Sequence, residues 1–279
     1  MIEKSARPTG FYRLSSTPPD PAHSTRETFD SLPSTAGPWS PDAQHGGPPA
    51  ALLARAVERL PASADGRIGR FTMELLGPVP VGPVAVAASI VRAGRSVQLA
   101  TADLYDVARD RVAATARAWL FPRTPGPGGA PGPLPHGPAD GADRPRPPAW
   151  HGGYLDAIEW RWISGGLEMP GSGVVWMRPP ALVEGEPVSP VQRLLACVDS
   201  ASGASAALDV RSWGFLNTEL TVHVLREPVG EWVCLDAETT VGDGSVGVAT
   251  SAVYDARGLV ARSAQALLVV PRQAAPVSP

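Results

Sequence analysis

The sequence predicts an α+β fold made of two tandem copies of one unit, each an antiparallel sheet wrapped round a single long helix. Three observations carry that prediction. The first is an internal repeat: SVQLATADLYD at 96–106 and SVGVATSAVYD at 245–255 agree at six of eleven positions, at an offset of 149. Self-similarity on this scale means that one supersecondary unit occurs twice. The second is the order of apolar runs. In each copy a helix-like run comes before a series of strand-like runs, which suits an antiparallel α+β unit better than alternating βαβ. The third is the stretch 122–149, where ten of 28 residues are proline and six are glycine. No packed element would carry that composition, so it reads as a linker. The expected divisions are therefore 11–121, 122–149 and 150–271.

The elements follow in chain order. ETFDSL (27–32) opens the first copy as a strand. PPAALLARAVERL (48–60) then reads as a helix, because Pro48 and Pro49 suit first-turn positions that lack intrahelical acceptors. Gly46 and Gly47 leave the N–H groups of that turn open to other atoms, as an anion or oxyanion site requires; a flexible entry loop is the alternative. After the repeated strand, VAATARAWLF (112–121) closes the copy. The second copy reads AIEWRWIS (157–164) and VVWMR (174–178) as strands and PVQRLLACVDSASG (190–203) as a helix. TELTVHVL (218–225), EWVCLDAETTV (231–241), the repeated strand and GLVARSAQALLVV (258–270) follow as strands. The repeat extends to the flanks. PAALLARAVE (49–58) parallels PVQRLLACVD (190–199), which sets Glu58 and Asp199 at matching helix positions.

Composition excludes several classes. The 279 residues are 43% hydrophobic and 18% charged with net charge −3, so a nucleic-acid partner is not expected. Lys4 is the only lysine, and the abundant Ala, Gly, Pro and Arg look like a high-GC genome. No apolar run is long enough for a membrane span, and MIEKSARPTGFYR lacks a signal-peptide core, so a cytoplasmic location is expected. Cys197 and Cys234 lie in apolar runs and read as small buried hydrophobes.

Three apparent motifs carry no weight. GDGSVG (242–247) matches a dinucleotide-binding pattern, but a strand and not a helix follows it, so it is a hairpin turn. His-Gly-Gly resembles a lipase oxyanion loop, yet no G-x-S-x-G elbow occurs. His23, His45, His136, His151 and His223 show no metal-ligand spacing, and neither a metal nor a cofactor is expected.

The segments GPWSPDAQHGGPPAALLARAVE (37–58), GPVPVGPV (77–84) and GRSVQLATADLYD (94–106) resemble the N-terminal half of actinobacterial-type acyl-CoA thioesterases. The segment 216–251 with ARSAQALLV (261–269) resembles their C-terminal half. The resemblance implies a double hotdog fold and hydrolysis of an acyl-CoA or acyl-carrier-protein thioester, with a homo-oligomer left open. In that family an Asp on the second helix, a hydroxyl residue on the next strand and a Gln on the last strand hold the attacking water. Asp199 and Gln265 match. The hydroxyl position falls on Asn217, a departure, and Thr221 on the expected same face is the other candidate for it.

Hydrolysis also needs oxyanion donors, and the His45–Gly46–Gly47 helix start is the candidate. At an offset of 148, the first-copy counterparts of Asn217, Glu219, Thr221 and Gln265 are Gly69, Phe71, Met73 and Arg117. One working site, built on Asp199, is therefore expected. Two other readings stand beside hydrolysis. One is an acyl-thioester-binding protein without turnover. The other, a hotdog hydratase or dehydratase, ranks lower because no histidine lies near Asp199 in sequence.

Overall fold

The computed structural model describes residues 8–16, 25–61, 66–128, 132, 136–147 and 150–272. The first half contains β1 (Gly10–Leu14), β2 (Glu27–Ser31), α1 (Gly47–Glu58), β3 (Gly66–Leu75), β4 (Pro83–Arg92), β5 (Gln98–Asp106) and β6 (Arg111–Pro122). The second half begins with α2 (Gly153–Ala157), β7 (Glu159–Gly166), β8 (Met169–Arg178), β9 (Ala181–Val183), α3 (Pro190–Val198) and α4 (Ala201–Ala204). It ends with β10 (Trp213–Asn217), β11 (Glu219–Val224), β12 (Val233–Val241), β13 (Val246–Asp255) and β14 (Gly258–Pro271).

All fourteen strands form one sheet, in the order β7-β8-β12-β13-β14-β11-β3-β6-β5-β4-β2-β1-β9, with β10 beside β14. The halves join where β11 pairs antiparallel with β3. Thr221 lies opposite Thr72 there, and their hydroxyls are 3.1 Å apart. Those two residues are 149 apart in sequence, the offset of the repeat, so a local two-fold axis passes between them. The far edge crosses over: β9, from the second half, pairs in parallel with β1. This is the double hotdog arrangement.

Helix α1 is enclosed by the sheet and by α3. Ala50, Ala51, Leu52, Leu53, Ala54 and Val57 are all fully buried. A helix apolar on nearly every side has to sit inside a core. Its one buried cation, Arg55, pairs with Glu27 and Glu186, which ties the two halves together. Cys197 and Cys234 are free and buried, and burial pushes both thiols up out of the reactive range. Residues 242–245 connect β12 to β13, as a hairpin turn. No helix among the described residues is long and apolar enough to cross a membrane.

The stretch expected to be an unpacked linker is packed over 136–147. Ala142 bridges Trp162, the His136 carbonyl accepts from Trp176 Nε1, and Arg146 donates to the Leu155 carbonyl and to Asp156. Arginine and tryptophan side chains supply the contacts that the proline-rich composition concealed. Residues 129–131, 133–135 and 148–149 of that stretch lie outside the described residues.

Candidate active site

Helices α1 and α3 run antiparallel, so the start of α1 meets the end of α3. The approach is closer than any side chain would allow. A Cβ on Gly47 would lie 2.3 Å from the Ala196 carbonyl oxygen, and one on Gly46 would lie 2.7 Å from Asp199 Oδ2. The two glycines thus let the helix ends interlock and bring the Asp199 carboxylate against the first turn of α1. Pro48 and Pro49 have no N–H, and Ala50 already donates to the Gly46 carbonyl. Only Gly46 and Gly47 therefore offer free-end donors. Gly47 donates to His45 Nδ1 at 3.1 Å. No acceptor among the described residues meets the Gly46 N–H, and Gly46 lines the adjoining cavity.

Asp199 is buried at the end of α3, and its Oδ1 is held from two sides. Asn217 Nδ2 donates to it, and Gln265 Nε2 donates to it at 3.0 Å and to the Asp199 carbonyl at 3.1 Å. Gln265 Oε1 in turn accepts the Ser202 N–H at 3.3 Å. Gln265 is fully buried, so its amide locks the carboxylate and the helix end together. Asn217 lines the cavity, and with Nδ2 spent on Asp199 its Oδ1 is an acceptor.

Thr221 does not join this group. Asn217 pairs with Leu267, whereas Thr221 pairs with Ala264: four steps on one strand against three on the other. The extra residue is a β-bulge at Thr218, and it reverses the alternation of faces. Asn217 points into the fold, while Glu219 and Thr221 point out. Thr221 is engaged there by Glu219 Oε2 and Thr72.

Strand register also corrects the matching of the copies. The β5–β6 hairpin closes Asp106 on Arg111, but β13–β14 closes Asp255 on Gly258, two residues shorter. The last strands are therefore offset by 147, and Gln265 corresponds to Ala118, not Arg117. The same pairing logic sets Asn217 opposite Ile68 in the first copy, not Gly69. The first copy is thus apolar at both positions. Its carboxylate, Glu58, sits at the start of α3 but is filled in by Ser189 Oγ and Gln192 Nε2. Burial raises the Glu58 pKa above the usual carboxylate value.

His45, 154 residues before Asp199, comes to it in space. Its Nδ1 lies 3.1 Å from Asp199 Oδ2. The ring stacks on Tyr154 at 3.7 Å and 5°. Burial lowers the imidazole pKa more than the nearby Asp199 charge raises it, so the ring is neutral at pH 7. With a proton on Nδ1 the ring donates to Asp199; without one it accepts from Gly47. Tyr154 has no counterpart in the expected site. Its hydroxyl donates to the Ala196 carbonyl at 2.7 Å and meets Ser200 Oγ at 2.9 Å, so it braces both the imidazole and the helix end. The signal for it was the second His-Gly-Gly, at 151–153: Gly152 and Gly153 have φ of 93° and 56°, and Tyr154 N–H then bonds the Ala36 carbonyl.

A cavity of about 380 Å³ opens beside Asp199, Asn217, Gly46 and Ser200. Much of its lining is apolar, formed by Trp39, Trp150, Leu155, Trp160, Leu167 and Phe215. A polar cluster beside an apolar hollow suits an acyl chain with its reacting carbonyl at the polar group.

The pattern of the acyl-CoA thioesterase N-terminal domain matches residues 35–121, and that of the C-terminal domain matches 138–269. No curated protein sequence matches the chain. Solved structures share the fold. A hotdog protein of unknown function from Alicyclobacillus acidocaldarius is 20% identical, with a TM-score of 0.69 over 91% of this chain and 95% of its own. The acyl-CoA thioesterase II TesB2 of Mycobacterium marinum is 16% identical, with a TM-score of 0.61 over 85% and 92%. The tesB protein of Mycobacterium avium subsp. paratuberculosis is 17% identical, with a TM-score of 0.62 over 88% and 93%.

Proposed function

Because the chain belongs to the acyl-CoA thioesterase family and is a thioester hydrolase, we propose that Asp199 activates the attacking water in a single working site. The observation that carries this reading is the holding of Asp199. Asn217 and Gln265 both donate to Oδ1, which leaves Oδ2 facing the start of α1. A water bridging Oδ2 and Asn217 Oδ1 has its two protons directed at acceptors and a lone pair free for the carbonyl. Its O–H bond breaks toward Oδ2 as the C–O bond forms. The oxyanion takes the Gly46 N–H at the positive end of α1. Collapse expels the thiolate, which recovers the proton. Gln265, out of contact with the cavity, is a positioning residue in this scheme, as are Gly47 and Tyr154. Thr221 has no part in it.

The His45–Asp199 contact removes the ground on which hydration was ranked lower, since a histidine does stand beside the carboxylate. One assay separates the two chemistries. The protein is mixed with saturated acyl-CoA esters of graded chain length and with an enoyl-CoA. Release of free thiol from the saturated esters is the expected result. Loss of the enoyl absorbance without thiol release would contradict hydrolysis. Coenzyme A or carrier protein as the thiol carrier, and a cytoplasmic location, belong to the same reading.

A further inference from the structure

A second, smaller hollow of about 80 Å³ lies next to the cavity beside Asp199. Among the described residues the two hollows share Leu167 and Val210 in their linings and nothing else. Both side chains are buried, Leu167 at 4% exposure and Val210 at 5%. A buried side chain that touches both hollows stands between them. The smaller hollow is lined by exposed Glu168, Pro170 and Arg211, so it opens to the surface. Leu167 and Val210 are thus a thin apolar wall between the large cavity and the outside. Leu167 sits in the tight turn where β7 meets β8, with Gly166 paired to Met169. Val210 is braced from behind: its carbonyl accepts from Arg272 Nη1 at 3.1 Å, and the Arg272 guanidinium lies 5.4 Å from the Trp39 ring.

The contacts along the cavity give the wall its place. The Val79 carbonyl accepts the Gln44 N–H, and His45, the next residue, touches Asp199. On the other side of Asp199, α4 carries Gly203, where a Cβ would lie 3.9 Å from Leu167 Cδ2. The Asp199 group therefore stands between a Pro78–Val79 end and the Leu167 end. Charge distinguishes the two ends. Beside Pro78, whose carbonyl accepts from Arg111 Nη2, Arg109 and Arg111 share the one carboxylate of Asp106. At the wall, Glu168 and Asp209 have only Arg211 beside them. The phosphates of a thiol carrier suit the Arg109–Arg111 end and are repelled by the other. That direction turns the acyl tail toward Leu167.

We propose that Leu167 and Val210 end the acyl pocket and set the longest straight acyl chain it accepts, an inference that rests on the hydrolytic reading of the Asp199 site. The smaller hollow behind them has room for about three groups the size of a water molecule or a methylene, and it leads outward. Trimming Leu167 therefore joins the two hollows and lets a longer tail through.

The test is kcat/KM of the full chain over straight-chain acyl-CoA esters from butyryl to palmitoyl. For the wild type it should rise with length and then fall sharply. Leu167→Ala should move that fall to longer chains. For the first ester beyond the wild-type limit, its kcat/KM relative to butyryl-CoA should rise about tenfold or more, the discrimination one methylene commands in an apolar pocket. Gly203→Leu should move the fall to shorter chains, because a side chain there starts in open space in front of Leu167. Glu168→Ala, on the same turn but lining only the outer hollow, should leave the profile unchanged. Melting curves show which variants fold, and Gly203→Leu decides if Leu167→Ala does not. Hydrolysis with the wild-type length profile in folded Leu167→Ala and Gly203→Leu overturns the wall alone. So does an equal loss at every length, or the same shift in Glu168→Ala. No thiol release from any ester by the wild type overturns the hydrolytic reading, and the wall with it.

Discussion

Asp199→Asn is expected to lower kcat by roughly 10²–10⁴, the usual loss when a general base is removed, while melting within about 2 °C of the wild type. The geometry explains why the fold should tolerate it. An Asn at 199 can still offer one oxygen to the Asn217 and Gln265 amides, and its NH₂ has nearly the size and shape of the oxygen it replaces. Only the basic oxygen is lost. Glu58→Gln, at the equivalent helix position, should leave the rate unchanged, because Glu58 faces Ser189 and Gln192 and no open site. Steady-state thiol release by the two variants checks both statements. Equal losses in both would mean two active sites, and a wild-type rate for Asp199→Asn would remove Asp199 from the mechanism.

The second large effect is on the scaffold. Gly47→Ala would place a methyl 2.3 Å from the Ala196 carbonyl oxygen, which is main chain and cannot rotate away. Helices α1 and α3 must separate, at a cost of about 3 kcal/mol. That is a fall of roughly 6–12 °C in Tm for a chain of this size. Activity should drop as well, since the same movement parts Gly46 from Asp199 and disturbs the carbonyl that Tyr154 bonds. Gly126→Ala is the control: a Cβ there meets nothing within 4 Å, and neither Tm nor rate should change. A Gly47→Ala variant as stable as that control would mean the helix ends do not interlock.

Much of this was legible before the structure. The repeat at 149 announces two copies of one unit; that they meet at Thr72 and Thr221 comes from the structure, since the sequence matching sets Thr221 against Met73. Asp199, Gln265 and the Gly-Gly helix start are readable because each has a pattern: a matched helix position, a last-strand amide, a glycine pair before prolines. What escaped was set by single-residue shifts. The bulge at Thr218 reverses which face Thr221 occupies, and no residue type there announces it. The hairpin two residues shorter at 256–257 moves the counterpart of Gln265 from Arg117 to Ala118. The meeting of the His45–Gly46–Gly47 helix start with Asp199 is expected from the sequence, but the direct contact of the imidazole with the carboxylate and the stacking of Tyr154 on that ring arise from packing between segments far apart in sequence. The crossing of β9 to β1 is of the same kind.

The central claim is that water, held by Asp199, attacks the thioester carbon directly. Single-turnover hydrolysis in ¹⁸O-water, with enzyme in excess over acyl-CoA, tests this most directly. Direct attack predicts one ¹⁸O in the acid from the first turnover and none in the peptide that contains Asp199. Unlabelled acid in that turnover, with ¹⁸O in the Asp199 carboxylate, would show that the carboxylate itself attacks, and would contradict the account.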